Sequence, residues 1–306
     1  MQPSSSILSS DKRPLFISKQ WLSKSILCAL VLSLSFLFLE ISLRVFWTPP
    51  LNTREEFLVE HDPLLGWHKT PHARATHKNY EYTVSENYNS RGLRGPEYYY
   101  EKRANEYRAL ILGDSHAEGH SVKFEDLFSE VLKRNLNRQG GTSYEVINTG
   151  TGGYSTDQEL LFFKNEGKKY QPDLTILAFS LNNVWYNSLT AISSWRKPLF
   201  ELEDGELRLT RVPVPRPEES LYTRMRQFFK KHIYVIKFLY DQISNSDFYL
   251  FLSRSGLTPF PNQFRVWQKK DTAQIRSAWE LTEALLVKLE EEVESSGSRF
   301  MIFYVP

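Results

Sequence analysis

The sequence predicts an α/β protein whose parallel sheet is preceded by one transmembrane helix, and three observations carry that expectation. Residues 25 to 39, SILCALVLSLSFLFL, hold no charge. Beyond residue 106, short apolar runs alternate with stretches of helical period, as in a parallel sheet covered on both faces. Three of those runs end in turns rich in Gly, Ser and Asn, and an open parallel sheet binds ligands beyond the carboxyl ends of its strands.

Length and composition set the bounds. A chain of 306 residues holds one sizeable domain with a full core and leaves room for additions. With 38 basic against 36 acidic residues, the net charge of +2 gives no ground for nucleic acid as a partner. Cys28 is the sole cysteine and lies in the most apolar segment, so neither a disulfide framework nor a cysteine-based metal site is available.

Apolar character continues past residue 39 through Ile41, Leu43, Val45 and Phe46, so residues 23–46 exceed the roughly 20 needed to span a bilayer as a helix. Glu40 and Arg44, four residues apart, are expected to pair and reach toward an interface. A cleaved signal peptide is the rival reading, yet no small-x-small cleavage site follows the apolar run. Lys12, Arg13, Lys19 and Lys24 precede the uncharged run, which places residues 1–22 in the cytoplasm and the rest of the chain outside.

Thr48-Pro49-Pro50 ends the helix and opens a linker with a small β and loop region, residues 47–106. The main domain, residues 107–306, begins with a strand over 108–112 and a helix over 124–135. A second strand covers 144–148 and a helix follows from about 156 to 168. A third strand covers 174–179, a long helix 272–294 and a fourth strand 299–305. An insert at about 186–270 interrupts this alternation. It contains a hairpin around Glu203-Asp204-Gly205 and one amphipathic helix marked by Leu221, Met225, Phe228, Phe229, Ile236, Leu239 and Ile243. That helix is expected to pack its apolar face on its own domain. Its basic residues leave a membrane surface as the other reading.

The chemistry sits at three strand ends: Gly113-Asp114-Ser115-His116, Asn148 to Thr156, and Ser180-Leu181-Asn182-Asn183. A serine on a tight strand-to-helix turn exposes its hydroxyl beside the backbone N–H groups of the helix start. A glycine N–H and an asparagine amide from neighbouring strands complete an oxyanion hole. Each turn alone is ordinary; the ordered set of three points to a serine nucleophile.

These blocks resemble those of the SGNH/GDSL hydrolases, acyl esterases and acyltransferases on a flavodoxin-like three-layer parallel sheet. "ILGDSHAEG" is similar to the family's first block, "VINTGTGGYSTDQELLFF" to its second and "PDLTILAFSLNN" to its third. The resemblance implies Ser115 as nucleophile and oxyanion donor through its own N–H, with Gly153 and Asn183 as the other donors; Asn182 is the alternative register. Val184 stands where the third block usually has Asp. "LEISLRVFW", "DPLLGWHKTP" and "NSRGLRG" resemble a membrane-anchored bacterial branch, which implies a periplasmic location for the domain.

The family's fourth block, Asp-x-x-His, supplies the orienting acid and the base, and no Asp here has His three residues on. His116, adjacent to Ser115, is expected to diverge from it, and His120 and His232 offer no better geometry. His61, His68, His72 and His77 have a spacing that makes a weak metal signal. The expectation is that the base lies beyond residue 306. Two functions follow. One is a membrane-anchored serine acyl-ester hydrolase or O-acyltransferase needing no cofactor, acting on an envelope glycan or lipid. The alternative is a non-catalytic module that binds an acylated glycan.

Overall fold

The computed structural model describes residues 19–47, 52–53, 58–79, 81–192, 194–217, 221–244, 251–253, 255–257, 266 and 272–305. The chain forms two compact units, Met1–Pro49 with Leu221–Ser246 and Pro50–Ser220 with Asp247–Pro306. The unit bearing the sheet also takes in the β and loop region from Pro50. The insert is divided between the two units.

Along the chain, helix α1 (Lys19–Phe46) precedes five short strands, β1 (Asn52–Thr53), β2 (Val59–Asp62), β3 (Gly66–Lys69), β4 (Arg74–Asn79) and β5 (Thr83–Asn87). Then come β6 (Glu106–Gly113), α2 (Ser115–Glu118), α3 (Phe128–Asn137), β7 (Ser143–Asn148), α4 (Thr156–Asn165), β8 (Leu174–Ser180) and α5 (Asn182–Tyr186). The insert adds β9 (Ala191–Ile192), β10 (Trp195–Arg196), β11 (Leu199–Glu203), β12 (Glu206–Thr210), α6 (Leu221–His232) and α7 (Tyr234–Ser244). Helix α8 (Ala273–Ser295) and β13 (Arg299–Val305) follow.

In the sheet-bearing unit, four strands pair in the order β13-β8-β6-β7, all parallel. Side chains alternate across the sheet, as the two-residue period of a strand requires. Leu110, Leu112, Ile147 and Leu177 bury one face against Leu160, Phe163, Leu285 and Leu289 of α4 and α8. Ala109, Ile111, Val146 and Ala178 occupy the opposite face with Leu132 of α3. The result is a three-layer α/β arrangement with all four expected strands.

Several boundaries differ from the sequence expectation. The segment from Phe124 begins as a short 3-10 turn to Asp126, and α3 starts only at Phe128. Helix α4 stops at Asn165, and a 3-10 turn, Gly167–Tyr170, takes its place. A Cβ at Gly167 would come within 3.0 Å of Leu110 and 3.1 Å of Phe163, so the chain turns where the sheet is closest. The hairpin is β11–β12, with Phe200 opposite Leu209 and positive φ at both Asp204 and Gly205.

The other unit contains the largest departure. The single amphipathic helix expected over 221–243 is two helices, α6 and α7, broken at Ile233. The cause lies in α1. The Glu40 carboxylate accepts from the backbone N–H groups of Tyr234 and Val235, at 3.0 Å each, and so caps α7. Arg44 pairs with Glu40 as expected and also donates to the His232 carbonyl at 2.7 Å, closing the end of α6. Trp47 packs edge-on against Tyr234 and Phe238. The apolar face of α6 is not packed on a domain: Leu221 is 75% exposed and Phe228 58%. Within α1, Ser23–Phe46 is long and apolar enough to cross a membrane.

Candidate active site

Ser115 follows directly on β6, an inner strand of the sheet, and is the first residue of α2. Asp114 caps this short helix by accepting from the His116 N–H at 2.8 Å. The same oxygen meets His116 Nδ1 at 2.8 Å, while the other accepts from Ser180 Oγ at 2.8 Å. Buried Asp114 thus ties the end of β6 to the end of β8. Its bond to the His116 ring draws that imidazole to itself and not to the serine.

Ser115 is half-buried, and its Oγ has no hydrogen-bond partner among the described residues. Its N–H is equally unengaged. A helix start leaves such N–H groups without internal acceptors, so they point at whatever lies beyond the end.

The glycine turn after β7 comes close to this serine. A Cβ at Gly150 would overlap the backbone of Ala117 and Glu118, at 2.6 and 2.5 Å, so only glycine permits the approach. A Cβ at Gly152 would stand 3.8 Å from Ser115 Cβ. The Gly152 N–H donates to Glu118 Oε2 at 2.6 Å, whereas the Gly153 N–H has no acceptor among the described residues. Gly153 has a φ of +84° and lies against the ring of Trp67. Trp67 Nε1 donates to the Gly152 carbonyl at 3.2 Å, and Tyr154 Oη donates to the Trp67 carbonyl at 2.6 Å.

Asn183 sits in the first turn of α5 with no solvent exposure. Its Oδ1 accepts a long bond from Ser180 Oγ, 3.4 Å, and its amide faces the Glu159 carboxyl without a bond of regular geometry. Asn182 is half-buried beside it. The structure therefore gathers Ser115 and the glycine turn, and it links Asn183 to them through Ser180 and Asp114.

Several buried polar residues around the site carry no sequence signal of a role. Glu118 accepts from Lys69 Nζ at 2.7 Å as well as from Gly152, which clamps the glycine turn to β3 and α2. Arg94 donates to the carbonyls of Glu118, Gly119 and Val122, holding the chain just beyond α2. Asp157 and Lys197 form an ion pair with both side chains wholly buried. Burial lowers the Lys197 pKa, and the Asp157 carboxylate opposes that shift. Burial drives the Glu159 carboxyl well above the ordinary carboxylate range, the Asp114 and Asp157 charges push it further, and the Asn183 amide and Lys197 oppose them. The neutral form of Glu159 is therefore favoured over the charged one relative to an exposed carboxyl. Asp157 and Glu159 fall in the first turn of a helix, where acids ordinarily serve the dipole in water, so the sequence marks them as surface residues.

The histidines are dispersed. His120 stacks on His77 with ring centres 5.3 Å apart, and His232 belongs to the other compact unit, against Phe228. His61 meets the Val214 carbonyl at 2.8 Å, and His68 pairs with Glu60 at 3.2 Å. No cluster of three metal-type ligands occurs among the described residues.

No family model matches the chain, and no curated protein matches it. Among solved structures, one match is a mutant of the esterase AlinE4, 16% identical, covering 65% of this chain and 77% of that one with a TM-score of 0.27. A likeness of that degree carries no argument, and the chemistry rests on the site itself.

Proposed function

We propose that the protein is a membrane-anchored serine acyl-ester hydrolase or O-acyltransferase with Ser115 as nucleophile. One observation carries the reading. Two of the three donors expected to hold an oxyanion, the N–H groups of Ser115 and Gly153, have no internal acceptor among the described residues, while the third, Asn183 Nδ2, is buried beside the Glu159 carboxyl. The neighbouring N–H groups of His116 and Gly152 are both engaged. Donors left unpaired at a strand end are available to a charge that develops during reaction, and each is worth about 2.7–4 kcal/mol where measured by mutation.

In this reading Ser115 Oγ attacks the carbonyl carbon of an ester, its proton passes to a base, and the carbonyl oxygen becomes the oxyanion held by the three donors. Collapse expels the alcohol, which takes up a proton, and leaves an acyl-enzyme. Water or a sugar hydroxyl then accepts the acyl group. No metal or organic cofactor takes part. Helix α1 acts as the anchor, with the basic residues that precede its uncharged run, 25–39, on the cytoplasmic side and the domain outside. The substrate class is an acyl ester of an envelope glycan or lipid.

That Ser115 Oγ meets no partner among the described residues favours the second reading, a module that binds acylated glycan without turnover. A fluorophosphonate probe separates them. Reaction of the full chain at Ser115, lost in Ser115→Ala, supports the hydrolase. An intact chain that binds acylated sugar but never gains the adduct supports the binding module and rejects catalysis.

A further inference from the structure

Helices α6 and α7 leave an apolar face uncovered, and we propose that this face lies in the headgroup region of the bilayer that α1 crosses, against anionic lipid. On α6 the exposed residues Leu221, Met225 and Phe228 fall at i, i+4 and i+7; on α7, Ile236, Leu239 and Tyr240 continue the surface. An apolar patch of this continuity is seldom left to water. Between the helices an open cleft of about 320 Å³ is walled by Met225, Phe229, Ile236 and Tyr240, with Arg226 and Lys230 also lining it. Apolar walls beside two cations suit an acyl chain with a phosphate at its head.

Charge points to the same occupant. Residues 221–244 carry five Lys or Arg against the one acid Asp241. A basic amphipathic helix of this kind settles about 5–10 Å into the boundary between headgroups and acyl chains. Anionic lipid at a membrane surface attracts such segments.

The position of the face relative to α1 decides between lipid and a soluble partner. Helix α1 has 28 residues, about 42 Å at the usual rise, whereas a hydrocarbon core is about 30 Å thick. The excess of some 12 Å is shared by both ends: counted from Ser23, where the apolar span begins, the roughly 20 residues that cross the core end near residue 42. Glu40, Arg44 and Trp47 occupy that end, and these are the residues that hold the α6–α7 corner. The two helices are thus fixed at the depth where the span leaves the lipid. The inference rests on α1 being a span, and its test distinguishes failure of the span from failure of the surface.

The test uses the full chain with Cys28→Ser and single labelled cysteines, reconstituted in phosphatidylcholine vesicles with phosphatidylglycerol. Phe228→Cys and Leu239→Cys, carrying an environment-sensitive fluorophore, report the face. Leu34→Cys reports the span, and Glu291→Cys an exposed reference in the other unit. Blue-shifted emission at 228 and 239, quenched by shallow spin-labelled lipid and protected from iodide, is the expected result. Omitting phosphatidylglycerol should weaken that quenching and leave the signal at 34 unchanged. Iodide quenching at 228 and 239 as strong as at 291, with 34 in lipid, overturns the surface alone. Blue-shifted labels that no lipid quenches mean that protein, such as a second copy, covers the face, and overturn it as well. A label at 34 outside the lipid rejects the span and with it the inference.

Discussion

Asp114 illustrates how much of the site depends on single side chains that never touch a substrate. One carboxylate caps α2, restrains the His116 ring and receives Ser180 from the next strand. Ser115 and Asn183, beyond the ends of β6 and β8, are thereby kept in register through one acid. Glu159 is its electrostatic counterpart, a buried acid whose pKa burial raises well above the ordinary carboxylate value. Because its folded pKa is raised, the folded state binds one more proton than the unfolded chain above the ordinary carboxylate value, 4.5. Stability is then complete below that value and falls as pH rises toward the raised folded pKa, by at most about 1.4 kcal/mol per pH unit. Glu159→Gln removes the titration. Denaturant unfolding should show the variant gaining on the wild type from mildly acid to mildly alkaline pH; parallel curves would mean that Glu159 titrates normally. The two asparagines separate by the same kind of comparison. Asn183→Ala should lower acyl-ester turnover by roughly 100-fold or more while Asn182→Ala has a small effect, on the usual worth of one oxyanion donor. The reverse ranking would move the donor to Asn182, which is half-buried where Asn183 is sealed.

The elements differ in how far the sequence reveals them. Strands β6 and β8 are apolar runs buried by their neighbours, and β13 is an apolar run although Met301 to Tyr304 are largely exposed, so composition locates all three within one or two residues. The serine, glycine and asparagine turns are legible because their chemistry is local. The break between α6 and α7 is not, since its cause is a carboxylate almost two hundred residues earlier in the chain. Helix α4 hides its polarity in the same way: Asp157, Gln158 and Glu159 make a first turn that reads as solvent-facing, yet all three are buried. What permits this is Lys197 from the insert, a partner that no pattern of spacing connects to α4. Removing one member of a buried pair leaves a charge without compensation, at a cost of about 3–5 kcal/mol. Lys197→Met should lower the unfolding midpoint accordingly, and adding Asp157→Asn should recover most of the loss. If the single and double variants melt together well below the wild type, Asp157 contributes by other contacts, such as those from Ser155 and the Gln158 N–H.

At the scale of the whole molecule, the chain leaves the sheet-bearing unit at Leu221, joins α1 and returns, so the two compact units are interleaved in sequence while each keeps its own contacts. The Glu40 and Arg44 pair lies wholly within one of them. Two charged residues near the end of an apolar helix read in sequence as a concession to the membrane interface, whereas they terminate one helix and begin another. The effect of the Glu40 cap is then expected to stay within its own unit. Loss of a side-chain cap costs about 1 kcal/mol, roughly a fivefold change in a local opening equilibrium. Glu40→Ala in the full chain should therefore speed amide exchange over residues 234–237 by about that factor. Exchange in β6 and β8, and fluorophosphonate reaction at Ser115, should be unaltered, because no residue that supports the glycine turn or the Asp114 brace belongs to the altered unit. Faster exchange in β6 would refute that independence and mean that the cap at Glu40 also stabilises the sheet.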